Sequence, residues 1–287
     1  MYECDVCTVL VGKWMKKQNV AIVILNYLNH QDTIECIKTI RTRNYNYEIV
    51  VVDNGSNNDS SEILEKEYDN ELDVHIVKST TNLGFAKGNN LGIKYAREHL
   101  KADFVFCCNN DILFLEDDYF DKLLAKYEDN VGVIGSAIIN ANDVLQEEYE
   151  LDLDFMNLFK SYLNAYASQN GTSFGLQGIP KGKTKILHGS ALLLTPTFFK
   201  HYDGFYKRTF LYYEEPILYL MCKEKGLKQV YVPEATIKHL EDKSSELSFN
   251  NDLSVMSKYS FDSMKWLVYW AFRDYVRGFF RKQREDN

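Results

Sequence analysis

The stretch Phe104-Val105-Phe106-Cys107-Cys108-Asn109-Asn110-Asp111 decides the fold. It stays apolar until two amides and one carboxylate end it. A run this short and this apolar reads as a strand buried on both faces. In an open α/β sheet, ligands gather at the carboxyl ends of such strands, so Asp111 stands where a metal or a phosphate would be met. Asn-Asn-Asp is also good turn chemistry, and the segment alone leaves the two readings level.

Working outward from it, strands and helices alternate through the first half of the chain. Strands are expected at Val20 to Leu25, Glu48 to Val52, Val74 to Val77 and Val131 to Ile139. Helices are expected at Asp32 to Ile40, Ser60 to Tyr68, Ala86 to Leu100 and Asp118 to Lys126. Alternation of this kind predicts an α/β fold with a mainly parallel central sheet flanked by helices.

The pattern breaks at Asn140, and Asn, Asp, Glu, Tyr and Gly dominate as far as Lys185. A long irregular insert inside a compact domain is usually functional or mobile, and it is read here as a segment covering substrate. Order resumes at Ile186 to Leu194 and Thr197 to His201, followed by a helix from Pro216 to Lys225 and a strand from Gln229 to Val232. From Leu253 onward the chain reads as helical. The expected organisation is an extension over 1–19, one large domain over 20–250 divided near residue 139, and a helical tail over 251–287. Met15 is an alternative start.

With 287 residues and 45% hydrophobic content, the chain can bury a full core. The six cysteines are scattered, and two lie inside the apolar run, which reads as reduced packing residues in a cytoplasmic protein. Cys4 and Cys7 have zinc-type spacing but no partner pair follows them. No run reaches the about 18 apolar residues of a membrane span. The net charge of -8 is uneven: residues 265 to 284 carry +5 and the remainder -13. An acidic body argues against a general nucleic-acid binder. Arg273, Arg277 and Arg281 recur every fourth residue beside Trp266, Trp270, Phe272, Phe279 and Phe280. Such a stripe over 264–284 suits either an anionic membrane surface, on the inner face of the cell membrane, or a helix packed on the domain.

Two further segments have the chemistry of a ligand site. In Asp53-Asn54-Gly55-Ser56, Gly55 permits a tight turn while the carboxylate of Asp53 can accept hydrogen bonds from a base or ribose. In Asn82-Leu83-Gly84-Phe85-Ala86-Lys87-Gly88-Asn89-Asn90, glycines and amides lead into a helix whose amino end favours anions. Neither matches a Walker loop or a dinucleotide fingerprint.

In their order and spacing these segments resemble the family 2 glycosyltransferases of GT-A fold, in particular the rhamnosyltransferase-like branch of bacterial surface-polysaccharide synthesis. The resemblance runs from Val20 to Lys243. It is carried by Val23-Ile24-Leu25-Asn26-Tyr27, Val51 to Ser56, Asn82 to Asn90, Asn109-Asn110-Asp111, His188-Gly189-Ser190-Ala191, Phe210 to Glu215, and Tyr231-Val232-Pro233-Glu234-Ala235 before His239.

The resemblance implies a nucleotide-sugar donor and a glycan or lipid-linked glycan acceptor. Asn26, Asp53, Asn54, Gly55, Asn82, Gly84, Lys87, Asn89, Asn109 and Asn110 would line the nucleotide-sugar pocket. Asp111, with His239, would hold Mg²⁺ or Mn²⁺ on the diphosphate. His188, Gly189, Ser190 and Glu214 would border the sugar and acceptor pocket, and Glu215 would be the catalytic base. Three positions depart from the family pattern. Asn109 replaces the first acid of the Asp-x-Asp-type motif, which lowers the charge offered to a metal. Glu215 stands where an Asp is usual, and Ile217 replaces the second acid of the Glu-Asp-x-Asp signature. The implied reaction is inverting transfer from a dTDP- or UDP-sugar, dTDP-rhamnose included, to a glycan hydroxyl. The rivals are a degenerate transferase that binds a glycan or a partner at the membrane, and a sugar-nucleotide pyrophosphorylase. The latter needs a Gly-rich basic loop after the first strand, which Asn26-Tyr27-Leu28-Asn29-His30 is not.

Overall fold

The computed structural model describes residues 18–43, 45, 47–146, 148–167, 179–240 and 253–285. Residues 1–17, with Cys4, Cys7 and the alternative start at Met15, lie outside them.

The first half alternates as the sequence predicts: β1 (Val20–Asn26), α1 (His30–Thr42), β2 (Glu48–Asp53), α2 (Ser60–Glu67), β3 (Val74–Lys78), α3 (Gly84–Glu98) and β4 (Phe104–Asn109). β1 lies between β2 and β4 and pairs in parallel with both, while β3 extends the parallel sheet beyond β2. β5 (Ile112–Phe114), α4 (Tyr119–Leu124) and β6 (Val131–Ile139) follow.

The second half contributes β7 (Leu145–Gln146), β8 (Tyr149–Leu151), α5 (Phe155–Ala167), β9 (Thr184–Ile186), β10 (Ala191–Leu194), α6 (Pro196–Phe199), α7 (Glu214–Glu224), β11 (Lys228–His239) and α8 (Leu253–Glu285). Among the described residues, the main sheet has the order β3-β2-β1-β4-β10-β6-β11-β5, with β7 on β6 and a separate β8-β9 pair. The sheet is parallel through the first half and mixed in the second, because β10 runs antiparallel to both β4 and β6. The chain enters β10 from the carboxyl edge of the sheet, where Asn109 N–H donates to Ser190 C=O at 3.0 Å, so it can only run back down. That reversal sets residues 188–190 beside the end of β4.

Alternation along the strands divides the interior in two. Val20, Ile22 and Ile24 of β1 and Phe104, Phe106 and Cys108 of β4 meet Ile37 of α1, Leu64 of α2 and Phe120 of α4. Ala21, Val23, Val105 and Cys107 face the other way, toward Ile93 of α3, Ile217 of α7 and Leu267 of α8. A strand buried on both sides has no use for polar residues, which is why these strands read as unbroken apolar runs. Cys36, Cys107, Cys108 and Cys222 are buried free thiols, as expected of packing residues.

Three expectations need correction. The segment from Asn140 to Lys185 is not irregular throughout, since α5 buries Leu158 and Ala165 against α8 and β8 pairs with β9. Asn, Ser and Tyr dilute its helical period. Ile186 to Leu194 is broken by a turn between β9 and β10. The strand at Gln229 to Val232 extends to His239 through an irregularity between Val232 and Thr236, where Pro233 cannot donate to a ladder. No helix among the described residues is long and apolar enough to cross a membrane.

Candidate active site

The carboxyl ends of β1, β2 and β4 form one edge. Asn26 and Asp53 are register partners there, and Asn26 Nδ2 donates to Asp53 Oδ1 at 2.8 Å. Ser56 Oγ donates to the same oxygen at 2.6 Å, and Thr33 Oγ1 donates to Asn26 Oδ1 at 2.9 Å. Asp53 is 2% exposed, so its carboxylate is fixed by this network before any ligand arrives. The turn after it requires glycine: Gly55 has φ of 73°, and a Cβ would lie 2.2 Å from the carbonyl carbon of Thr81.

Asn54 ties that turn to the loop before α3. Its Nδ2 donates to Asn82 Oδ1 at 3.1 Å and to Gly84 C=O at 3.2 Å, while Leu83 N–H donates to Asn54 Oδ1 at 3.0 Å. Gly84 has φ of 78°, and a Cβ there would lie 2.1 Å from Phe210 O. The loop therefore locks onto the segment that leads into α7, and Phe85 N–H donates to the same Phe210 carbonyl at 2.8 Å. Gly88 lets α3 approach Leu25 and Asn54. Asn89 is buried with Nδ2 on Phe85 C=O at 3.1 Å, and Lys87 is exposed on the helix.

Three residues expected to line the nucleotide-sugar pocket are bonded within the protein. The amides of Asn26 and Asn54 are spent on protein partners. Asn110 Nδ2 likewise donates to Asn29 C=O at 2.9 Å and to Thr33 Oγ1 at 3.3 Å. Buried amides must be satisfied, and these three are met within the wall that the strand ends form. Thr33 and Ser56 complete the wall. Ser56 could have been found from its place three residues after Asp53, but Thr33 gave no signal.

Beyond β4 the chain brings Asp111 and His239 together, His239 Nε2 lying 3.3 Å from Asp111 Oδ1. The amide nitrogen of Asn109 lies 3.4 Å from the same Nε2. Asp111 is 4% exposed and His239 9%, and His239 Nδ1 has no partner among the described residues. Cis donors around an octahedral ion at about 2.1 Å are about 3 Å apart. A carboxylate, an imidazole and an amide oxygen brought in by rotating Asn109 therefore fit one small divalent cation. The described residues hold no cluster of three His, Cys, Asp or Glu side chains. The protein's own donor set is accordingly a weak one.

His188 sits behind this centre. Its ring meets that of His239 edge-on at 5.8 Å, its Nδ1 lies 2.9 Å from Ser190 Oγ, and its Nε2 lies 3.1 Å from the Tyr149 hydroxyl. Burial pushes its pKa down to about 4, helped by His239 and opposed by Asp111, so it is neutral near pH 7. Tyr149, on β8, stacks on His188 at 5.4 Å. It lies in the segment read as irregular, and nothing in its local sequence marked it.

The opposite wall is the start of α7. Tyr212 and Tyr213 enter it with φ of 74° and 67°, a left-handed pair that costs of order 1–3 kcal/mol each. α8 holds them there: Tyr213 is fully buried with its hydroxyl 3.0 Å from Ser260 Oγ, and Ser263 Oγ donates to Leu211 C=O at 2.8 Å. Glu214 is 5% exposed, and burial, reinforced by Glu215, raises its pKa to about 8 despite a hydrogen bond from Thr209. Burial also raises Glu215, against hydrogen bonds from its own N–H and that of Gly189. Gly189 is closed over this carboxylate, since a Cβ there would lie 2.4 Å from Glu215 Oε1. Ile217 is fully buried in the core, so the second turn of α7 faces the sheet and an acid there would have no solvent. The turn His188-Gly189-Ser190 thus touches both centres, with Gly189 on Glu215 and Ser190 C=O on the Asn109 N–H.

An α/β sheet that is parallel through its first half, mixed in its second and flanked by helices is a fold of GT-A type. The model of "Glycosyl transferase family 2" matches residues 20–191, and the chain belongs to that family. Over 198 residues it is 27% identical to the low-salt glycan biosynthesis hexosyltransferase Agl10 of Haloferax volcanii, covering 69% of this chain and 59% of that protein. The chain therefore spans somewhat over half the length of this curated relative. Its fold is similar to that of mannosyltransferase PcManGT from Pyrobaculum calidifontis in complex with GDP-Man and Mn²⁺, with a TM-score of 0.53, 13% identity, and 89% and 73% of the two chains covered. S. aureus TarS 1–349 in complex with UDP-GlcNAc is also similar, with a TM-score of 0.52, 16% identity, and 78% and 58% covered.

Proposed function

We propose that this chain transfers a hexosyl or rhamnosyl residue, with inversion, from a dTDP- or UDP-sugar to a hydroxyl of a growing, lipid-linked cell-surface glycan at the cytoplasmic side of the membrane. The observation that carries this is the 188–190 turn, in which Gly189 lies against the Glu215 carboxylate and the Ser190 carbonyl accepts from Asn109 beside Asp111 and His239. The name of Agl10 supports a hexosyl group and a glycan product, and the complexes of PcManGT and TarS support a nucleotide-sugar donor.

In this reading Asp53, in the frame of Asn26 and Ser56, accepts from the nucleotide. Gly84 and the amino end of α3 lie along the phosphates. Asp111, His239 and Asn109 would hold a divalent ion, Mg²⁺ or Mn²⁺, which neutralises charge on the departing diphosphate. Glu215 takes the proton of the acceptor hydroxyl as that oxygen attacks the anomeric carbon. The bond from that carbon to the diphosphate breaks, and the diphosphate leaves with the electron pair. A raised pKa suits Glu215 to this task, since a stronger base accepts a proton more readily. Glu214, its pKa raised to about 8, is mainly protonated at neutral pH and adds no second full charge beside it.

A thermal-shift screen of UDP, dTDP and GDP and their sugars, with Mg²⁺, Mn²⁺ or chelator, tests the donor site. A ligand at a hundred times its Kd adds about 2.7 kcal/mol to the folded state. A metal-dependent rise with one nucleotide supports the assignment. No rise with any of them refutes the roles of Asp53 and Asp111.

A further inference from the structure

Three of the four residues that lead into α7 are gripped by α8. The ring of Phe210 stacks on that of Tyr259, with centroids 4.4 Å apart and planes 18° from parallel. Leu211 C=O accepts from Ser263 Oγ at 2.8 Å, and the Tyr213 hydroxyl lies 3.0 Å from Ser260 Oγ. Tyr259, Ser260 and Ser263 fall within about one turn of α8, so one patch of helix surface makes every grip. Ser260 and Ser263 are 0% and 1% exposed. A buried serine inside a helix is a poorer helix former than alanine and has given up its water, so these hydroxyls owe their place to the groups they bond.

What they hold is strained. Tyr212 and Tyr213 are consecutive left-handed residues, a conformation that crowds Cβ against the backbone in any residue but glycine. Released, the pair would relax toward ordinary backbone angles. Glu214 and Glu215 follow at once, so the bend sets the direction in which their carboxylates leave. The far end of α7 is held separately. Arg273 is bonded to the Glu224 carboxylate, and Arg277 donates to Glu224 C=O at 2.7 Å, which makes two arginines of the sequence stripe into clamps. Gly189, already too close to Glu215 Oε1 for a Cβ, bounds the carboxylate on its other side. Glu215 therefore has little slack, and its place depends on the bend.

We infer that Ser260 and Ser263 are positioning residues, which hold the strained entry to α7 through Tyr213 and Leu211 and so aim the Glu215 carboxylate at the acceptor hydroxyl. The inference rests on the reading of Glu215 as the base. Buried as they are, neither serine meets a substrate, and each acts through the segment it holds. Strain at a functional bend persists only where the surroundings over-determine it, and here α8 supplies those contacts. Both serines lie beyond the family match at 20–191, so the geometry of the base depends on a helix outside the matched region.

Ser260→Ala and Ser263→Ala in the full chain test it, by release of nucleotide diphosphate from the UDP- or dTDP-sugar that the thermal screen selects and by hydrogen exchange read by mass spectrometry. Each should lower kcat at least about tenfold, since a misplacement of 1 Å can cost about a hundredfold, while donor Kd and the donor bound per chain stay at wild type. Exchange should rise about tenfold over residues 211–216, the factor for a buried hydrogen bond left half-made, and stay unchanged over 50–56 and 82–90. In a Glu215→Gln background neither substitution should lower kcat further, whereas a purely structural role would lower both backgrounds alike. Arg273→Ala, which frees α8 at the far end of α7, should lower the melting midpoint and leave kcat near wild type. If Ser260→Ala fails to fold, Tyr213→Phe removes the other half of the same bond and carries the same expectation. Unchanged kcat or exchange in the serine variants, equal losses in the two backgrounds, or an equal loss with Arg273→Ala overturns the inference. Wild-type turnover by Glu215→Gln overturns the base reading, and the inference falls with it.

Discussion

Replacing Gly189 by alanine isolates the position of one carboxylate. A Cβ at Gly189 would lie 2.4 Å from Glu215 Oε1, where ordinary contacts begin at 3.4 Å. The carboxylate must then retreat by about 1 Å, a misplacement that can cost about a hundredfold in rate, or about 2.7 kcal/mol in the barrier. The fold should hardly notice. Gly189 is outside the left-handed region, and the atom in the way is the end of a flexible side chain. The assay is release of nucleotide diphosphate from the donor that the thermal screen selects, with donor Kd and the melting midpoint measured on the same preparation. The expected result is a kcat lowered about a hundredfold with Kd and Tm near wild type. Wild-type turnover would refute the argument, because it would show that the reaction does not need Glu215 where the structure holds it.

Glu215→Gln keeps the shape and removes the base, so turnover should fall by about 10²–10⁴ with donor affinity retained in a calorimetric titration. Asp111→Asn and His239→Ala should each remove the metal-dependent part of the donor's thermal shift, and a shift that persists would exclude them as ligands. Gly84→Ala combines a left-handed φ with a backbone overlap, and urea unfolding should show a loss of at least about 2 kcal/mol. Burial raises the folded pKa of Glu214 from the ordinary carboxylate value of 4.5 to about 8, so stability is greatest when it is protonated. As pH rises from 4.5 toward 8 the unfolded chain loses this proton while the folded chain keeps it, and stability declines across that window. Glu214→Gln should flatten the decline, which denaturant curves at pH 5 and pH 8 will register.

Much of the first half was legible because its signals are local. Apolar runs buried on two faces, helical spacing and a polar residue at each strand end place Asn26, Asp53 and Asn109 along one edge before any coordinates are known. Roles were harder to read than places. Asn26, Asn54 and Asn110 look like ligand contacts in the sequence, and only the packing shows that their amides are used on Asp53, Asn82 and Asn29. α5 went unread because its inward face holds Tyr162 and Ala165 among Asn and Ser, too mixed for a clear period.

By itself the sequence determined the α/β class, the family and most of the residues at the sheet edge, since strand and turn chemistry act over a few neighbours. The tertiary structure decided what depends on contacts between distant segments. It joined Asp111 to His239, laid Gly189 over Glu215, and turned Arg273 and Arg277 from a surface stripe into clamps on α7. It also laid α8 against the approach to α7, where Ser260 and Ser263 hold the bend before Glu215. No local pattern encodes such meetings, because each needs the chain reversal at β10 or the return of α8 across the domain, and these are set by how the whole core packs.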